Sequence, residues 1–174
     1  MRLFVAAALA ALLGTAQAAV GLTQIPGKED GEGVMTVYYP SSSEAQKVTR
    51  GPFTLQLAMQ GSPVRGNGRL VVISHGSGGS PWVHADLART LVEDGFVVAM
   101  PEHLRDNYRD QSAAGPESWQ RRPLEVSRAI DAVGRDARFG PLLALDKVGM
   151  YGMSAGGHTA LSLAGGRWSQ ALSG

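Results

Sequence analysis

From residue 69 onward, short apolar segments alternate with segments that carry apolar residues at helical spacing. The apolar segments have the length and composition of buried strands: RLVVIS at 69–74, FVVAM at 96–100 and KVGMY at 147–151. The helical stripes are Val83, Leu87 and Leu91 after Ser80-Pro81, and Val126, Ile130 and Val133 after Pro123. Neighbouring parallel strands need long crossovers, which are usually helices. The alternation therefore predicts an α/β fold in which helices flank a largely parallel sheet.

Two further strands are predicted before this alternation begins. One covers residues 34–39 and ends at Pro40, and the other is FTLQLAM at 53–59, whose apolar residues alternate with polar ones. That alternation is typical of a strand with one buried face. A length of 174 residues with 44% hydrophobic and 18% charged residues is that of one globular domain.

The first 18 residues have the pattern of a secretory signal peptide. Arg2 is followed by an unbroken apolar run at 3–13 and by the small-residue site Ala16-Gln17-Ala18. A membrane anchor is the alternative, but the run is well short of the roughly 20 residues that span a bilayer. We therefore expect cleavage after Ala18, export to the periplasm or the cell exterior, and no stable membrane anchor.

Charge and composition exclude several classes of function. The 16 Lys and Arg residues nearly balance the 15 Asp and Glu residues, and removing Arg2 with the signal peptide leaves the mature chain neutral. No nucleic-acid partner is expected, because phosphate binding needs a concentrated basic face. The basic pair Arg121-Arg122 is interpreted as a solvated helix start. Without cysteine, the chain can form no disulfide, thiolate metal site or Cys nucleophile. No P-loop, HExxH or dinucleotide motif is present, so the residues give little support for a phosphate or zinc site.

Residues 152–156, Gly-Met-Ser-Ala-Gly, match the G-x-S-x-G turn that carries a nucleophilic serine between a strand and a helix. The match lies where such a turn belongs, after the strand at 147–151 and before a run at 157–164 that is compatible with a helix. Ser154 is therefore the candidate nucleophile. The alternative is that Ser154 only caps the helix that follows.

A second glycine-rich segment, His75-Gly-Ser-Gly-Gly-Ser80, follows the strand at 69–74. In enzymes with this serine turn, a loop in that position supplies one amide of the oxyanion hole, and the residue after the nucleophile supplies the other. The expected donors are the backbone N–H groups of Ser77 and Ala155.

The stretches VVISHGSGG, DGFVVAMPEH and VGMYGMSAGGHTAL, in this order, resemble the α/β-hydrolase superfamily, in particular dienelactone hydrolase-like and platelet-activating-factor acetylhydrolase-like esterases. The resemblance implies a three-layer α/β-hydrolase sheet flanked by helices. It also implies a serine hydrolase that acts on small-molecule or lipid-like carboxylic esters without metal or cofactor. In the family that the chain resembles, the histidine at the position of His75 shapes the oxyanion loop.

The other polar candidates are given structural interpretations. His158 is expected to face the packing layer next to the serine turn, while His84 and His103 are interpreted as polar surface. Three acidic residues are interpreted as turn residues: Asp106, Asp110 and Asp146.

The catalytic acid and base have no candidates in the expected place. An α/β-hydrolase has its triad in the order Ser, acid, His, yet residues 155–174 contain one histidine, His158, and no Asp or Glu. We therefore expect 19–174 to be a partial α/β-hydrolase domain, truncated after the helix that follows Ser154, with the strand at 147–151 left as an open edge. Such a chain would be inactive as it stands. The rival hypothesis is a noncatalytic exported binding or scaffold protein with a hydrolase-like fold.

Overall fold

The computed structural model describes residues 18–27, 32–50 and 53–167. Apart from Ala18, the predicted signal peptide lies outside the described residues. The strands are β1 Ala19–Ile25, β2 Met35–Ser41, β3 Gln46–Arg50, β4 Phe53–Met59, β5 Leu70–Ser74, β6 Val97–Pro101 and β7 Val148–Gly152. The helices are α1 Ala85–Glu93, α2 Pro116–Arg135 and α3 Ala155–Leu163, with short 3-10 turns at Pro81–His84 and Gly140–Leu142. No helix among the described residues is long and apolar enough to cross a membrane.

The described strands form a seven-stranded mixed sheet in the order β3-β4-β1-β2-β6-β5-β7. The strands β6, β5 and β7 are mutually parallel, whereas β2 runs antiparallel to both β1 and β6. In the β5–β7 register, Ser74 pairs with Gly152 at the carboxyl ends of the two strands. The loops that follow these strands therefore leave the sheet side by side.

Helices cover both faces of the sheet and give three layers. On one face, Val126, Ala129 and Val133 of α2 pack on buried residues of the central strands, and α3 lies beside α2. On the other face, Ala88 and Val92 of α1 pack on the opposite side of the same strands. Both faces of β5 and β6 are buried, which explains why these two parallel strands are almost continuously apolar in sequence. Strand β7, at the end of the described sheet, is only partly buried.

In the helix that precedes β6, Leu87 and Leu91 of the predicted stripe pack against the apolar core, but the first residue of that stripe, Val83, does not. Ala88 and Val92 are buried, whereas Val83 is 62% exposed. Residues 81–84 form a 3-10 turn, which has about 3.0 residues per turn instead of 3.6. Because Val83 lies in this 3-10 turn and not in the α-helix, it does not continue the inward stripe of Leu87 and Leu91.

Helix α2 begins seven residues earlier than predicted, because Pro116 and not Pro123 occupies its first turn. Pro123 lies inside the helix. The inward face of the first turns is polar, with Ser118, Arg122 and Glu125 buried at the spacing that the apolar residues then continue. An apolar pattern could not indicate these turns, because their buried side chains are not apolar.

Candidate active site

Ser154 lies at the turn between β7 and α3 with φ 53° and ψ −118°, and the residue is exposed. Positive φ is costly for a residue with a Cβ, on the order of 1–3 kcal/mol at such strained positions. Ser154 occupies the N-cap position of α3, yet its side chain makes no capping hydrogen bond. The helix-cap alternative therefore leaves the strain without a compensating contact.

The two glycines that flank this turn are required by close backbone contacts. A Cβ on Gly156 would lie 2.0 Å from the carbonyl oxygen of Ser74, and a Cβ on Gly152 would lie 2.0 Å from that of Gly156. Neither neighbour is a flexible side chain that could move aside. The turn that presents Ser154 is thus built by packing α3 directly against the end of β5.

The glycine-rich loop after β5 lies against the serine turn. A Cβ built on Gly76 would be 3.5 Å from the Cβ of Ser154. Among the described residues, no acceptor takes a hydrogen bond from the backbone amide of Ser77 or of Ala155. As far as the described residues go, both amides that the sequence suggests for an oxyanion hole are therefore available to a ligand.

Beneath this loop lies a buried ion pair that corrects two sequence predictions. Arg122, expected to be solvated, is fully buried, and so is Asp106, expected to be an ordinary turn residue. The guanidinium and the carboxylate approach to 2.8 Å. An ion pair removed from water needs further hydrogen bonds to offset its desolvation, and the loop supplies them.

Arg122 donates hydrogen bonds to the backbone of the glycine-rich loop. Its Nη1 lies 2.5 Å from the carbonyl oxygen of His75, and its Nη2 lies 3.2 Å from that of Gly76. Asp106 holds the next two residues, accepting from the hydroxyl of Ser77 at 2.6 Å and from the amide of Gly78 at 3.1 Å. The ion pair thus reaches four consecutive residues of the loop.

The carboxyl group of Asp106 is ionised in this setting. Burial by itself would raise the pKa of Asp106, but hydrogen bonds from Ser118 and Ser77 and the charge of Arg122 outweigh burial and lower it below its ordinary value. The loop therefore rests on a fixed negative charge that is paired with a fixed positive one.

His75 has the structural role implied by the family resemblance. Its Nδ1 lies 2.7 Å from the carbonyl oxygen of Gly76, and its Nε2 lies 3.2 Å from the backbone nitrogen of His103. A carbonyl can only accept, so Nδ1 carries the proton and Nε2 accepts from the amide. Burial, with a smaller contribution from His103, lowers the pKa of His75 to about 4, and the ring is neutral near pH 7.

His103 is fully buried, which corrects its interpretation as polar surface. Its Nε2 lies 2.7 Å from the hydroxyl oxygen of Ser74, and its Nδ1 lies 2.5 Å from a carboxylate oxygen of Glu125. This Ser-His-Glu chain has the hydrogen-bond order of a hydrolase triad. Ser74 is completely inaccessible, however, so no substrate can reach its hydroxyl group in this conformation.

The model of the dienelactone hydrolase family matches residues 57–172, which is more than half of the chain. The chain belongs to the dienelactone hydrolase family. Among solved structures it is similar to the ferulic acid esterase from Streptomyces cinnamoneus, with a TM-score of 0.67 and 17% sequence identity. The match covers 89% of this chain and 57% of the esterase, so the chain spans little more than half of that protein. This likeness confirms the α/β-hydrolase fold. No curated protein matches the sequence.

The two remaining histidines of this dienelactone hydrolase family member lie on different faces of the molecule. His158 in α3 lies beside Trp119 of α2, with ring centroids 5.4 Å apart, so it faces the helix layer as predicted. His84 is buried against the ring of Tyr151 at 5.5 Å, which corrects its interpretation as polar surface. Burial lowers the pKa of His84. Within the described part of the chain, no histidine is hydrogen-bonded to the hydroxyl of Ser154.

The described residues contain no group of three or more side chains that could hold a metal ion. The site that they form is a serine turn, a glycine-rich loop and a polar layer below the loop. Sequence reasoning missed the polar layer, although one signal was present. Ser118, Arg122, Glu125 and Val126 lie at helical spacing and join the apolar stripe of α2, which indicates an inward polar face.

Proposed function

We propose that the protein is an exported serine hydrolase of carboxylic esters whose nucleophile is Ser154. The observation that carries the proposal is the strained, exposed conformation of Ser154 beside the glycine-rich loop, in a chain of the dienelactone hydrolase family. Strain in a folded protein persists where the surrounding structure enforces it, and it concentrates at functional sites. A turn that served only to connect β7 to α3 would have no need to hold a serine in this conformation.

The reaction that fits this geometry is acyl transfer. The hydroxyl oxygen of Ser154 attacks the ester carbonyl carbon while a base takes the hydroxyl proton, and the carbonyl oxygen becomes an anion. The amides of Ser77 and Ala155 donate to that anion. The alcohol then leaves with a proton, and water hydrolyses the acyl-enzyme by the same steps. Removing one such donor costs about 10²–10³ in kcat in a known case, so the two amides are the expected source of most of the electrostatic stabilisation.

We further propose that the catalytic histidine and acid come from sequence beyond Gly174. His75 and His103 cannot take the role, because both ring nitrogens of each are already engaged in the polar layer. His158 lies beside Trp119 on the helix layer, and the stretch after Ser154 has no carboxylate. The test compares residues 19–174 alone with the longest product of the gene. We expect Ser154-dependent turnover only in the longer protein, and equal turnover in both would contradict this assignment.

The nucleophile is tested with a fluorophosphonate probe on the protein as its gene encodes it. Mass spectrometry should find the label on Ser154, and Ser154→Ala should abolish both labelling and hydrolysis of a p-nitrophenyl ester. A feruloyl ester belongs in the substrate panel, because the structural match is described as a ferulic acid esterase. If Ser154→Ala hydrolyses the activated ester as fast as the parent, the protein is not a hydrolase of this type, and the noncatalytic binding or scaffold role takes its place.

Export is tested separately by N-terminal sequencing of material recovered outside the cytoplasm. Cleavage near Ala18 is expected, since the apolar run and the small-residue site precede it. A mature protein that still begins at Met1 would contradict this part of the proposal.

A further inference from the structure

The peptide group that joins Gly76 to Ser77 is held more firmly than any other part of the glycine-rich loop. Its carbonyl oxygen accepts from Nδ1 of His75 at 2.7 Å, from the amide of Gly79 at 3.1 Å and from Nη2 of Arg122 at 3.2 Å. A carbonyl oxygen has two lone pairs, so three donors saturate it. The position of this oxygen is therefore fixed from three sides.

The residues on the other side of this peptide group are fixed by Asp106. One carboxylate oxygen takes both the hydroxyl of Ser77 and the amide of Gly78, while the other takes Arg122 and Ser118. The carboxylate of Asp106 and the guanidinium of Arg122 therefore clamp the loop on both sides of the Gly76-Ser77 bond. The free polar group of this peptide is the Ser77 N–H, which has no acceptor among the described residues.

Fixing the carbonyl oxygen also fixes the direction of the N–H. A trans peptide is planar and its C=O and N–H point in opposite directions. Because Arg122 and His75 hold the Gly76 oxygen inside the protein, the Ser77 N–H must point away from that buried layer. A positive group at the oxygen also draws electron density toward it and strengthens the N–H as a donor, since hydrogen bonds in series polarise one another.

We propose that Arg122 and Asp106 are positioning residues for the oxyanion hole, which aim and polarise the Ser77 amide toward the substrate oxygen at Ser154. The inference rests on the proposed function of Ser154 and Ser77. A buried ion pair is by itself weak evidence for stability, because apolar residues of similar volume are often as good or better. Apolar residues could fill the same space, but they could not hold the Gly76 oxygen or the Ser77 hydroxyl.

The test uses the protein as its gene encodes it and two variants, one that removes several contacts of the loop and one that removes a single hydrogen bond. The double variant Asp106→Asn/Arg122→Met removes both charges together, so that neither is left buried alone. Ser77→Ala is milder, because it keeps the amide and removes only the hydroxyl bond to Asp106. Val133→Ala is the control: Val133 is fully buried in the same helix but packs in the apolar core.

The double variant should lower kcat for a p-nitrophenyl ester about 10²-fold, the loss seen when an oxyanion donor is removed. The KM should change little, because the amide acts mainly on charge that develops in the transition state. Ser77→Ala should lower kcat about tenfold, in line with one charge-assisted hydrogen bond. The rate of fluorophosphonate labelling should fall in parallel. Val133→Ala should lower the melting temperature and leave kcat within about threefold of the parent, well below its melting point.

The proposal is overturned if the folded variants keep kcat within threefold of the parent, or if Val133→Ala loses as much kcat as they do. Should the double variant fail to melt cooperatively, Ser77→Ala decides the question by the same criterion. Failure of the proposed function looks different, because the parent itself would then show no Ser154-dependent labelling. A loss that appeared in KM alone would place Arg122 and Asp106 in substrate binding and would also overturn the proposal.

Discussion

The molecule holds two serines at the ends of neighbouring strands, and they have opposite properties. Ser74 ends β5, is fully buried, and is hydrogen-bonded to His103, which in turn contacts Glu125. Ser154 follows the end of β7, is exposed, and has a positive φ that a serine rarely adopts. The buried residue has the hydrogen-bond partners of a triad, and the exposed residue is the proposed nucleophile.

The difference shows that the order of hydrogen bonds does not identify a nucleophile by itself. A reacting hydroxyl must be reached by substrate and must have an oxyanion site next to it. Ser74 fails the first condition, and its contacts stabilise the polar layer under the glycine-rich loop. Ser154 meets the first condition and lies against that loop, at a cost in backbone strain that no capping hydrogen bond of its side chain offsets.

The largest expected effect comes from replacing Ser154 and Ser74 separately, because one change should remove activity and the other should lower stability. Ser154→Gly should abolish hydrolysis, a loss on the order of 10⁶-fold where the triad is complete. It should also stabilise the fold by roughly 1 kcal/mol, because glycine tolerates positive φ. Ser74→Ala should destabilise by about 1–3 kcal/mol, since it leaves Nε2 of His103 without its partner, and should change kcat less than tenfold. Urea unfolding and ester hydrolysis on both variants check this. Loss of labelling in Ser74→Ala alone would reverse the assignment.

Adjacent glycines of α3 test how the serine turn is packed. A Cβ on Gly156 would meet the Ser74 carbonyl oxygen at 2.0 Å, whereas the nearest atom to a Cβ on Gly157 is 3.5 Å away. Gly156→Ala should destabilise by about 3 kcal/mol or more, because backbone must shift. Gly157→Ala should stabilise by up to about 1 kcal/mol through helix propensity. Thermal melting of the two variants is the measurement, and equal melting temperatures would show that the turn is not packed against β5 in this way.

The polar layer should make stability depend on pH in the mildly acidic range. The pKa of His75 is lowered from 6.5 to about 4 in the folded protein, so the unfolded state takes up its proton first as the pH falls. The free energy of unfolding therefore falls between about pH 6.5 and pH 4. The total loss is roughly 3 kcal/mol, of which about 2 kcal/mol is reached at pH 5. Burial also lowers the pKa of His103, which acts in the same direction. The lowered pKa of Asp106 affects stability only at a pH below the ordinary pKa of an aspartate, 3.8, and so does not contribute between pH 7 and pH 5.

Urea unfolding at pH 7, 6 and 5 measures this slope. His75→Asn is the matched variant, because its amide nitrogen can replace Nδ1 as donor to Gly76 but does not titrate. The slope should be smaller in this variant. A parent whose unfolding free energy is unchanged from pH 7 to pH 5 would contradict the neutral, buried state of the ring.

Local sequence pattern was enough to predict most of the strands and the position of the serine turn. Five strands were predicted to within about two residues, since apolar runs and period-2 alternation result from burial of one or both strand faces. The position of Ser154 between a strand and a helix followed from the glycines around it, and the close contacts of Gly152 and Gly156 give the reason. Strands β1 and β3, by contrast, were not predicted. The segment QKVTR at 46–50 has only one apolar residue, and β1 at 19–25 opens a segment that is mostly polar and rich in glycine up to residue 33.

The burial and the partners of the charged and polar side chains could not be predicted from local pattern. Arg122 and the His75 carbonyl that it contacts are 47 residues apart in sequence, and Asp106 is 16 residues from Arg122. A buried charge needs polar partners, and most partners of Arg122 come from segments that are distant in sequence. The helical spacing of Arg122 and Glu125 indicates an inward face, but only the fold brings Asp106 and His103 to them beneath the loop beside Ser154.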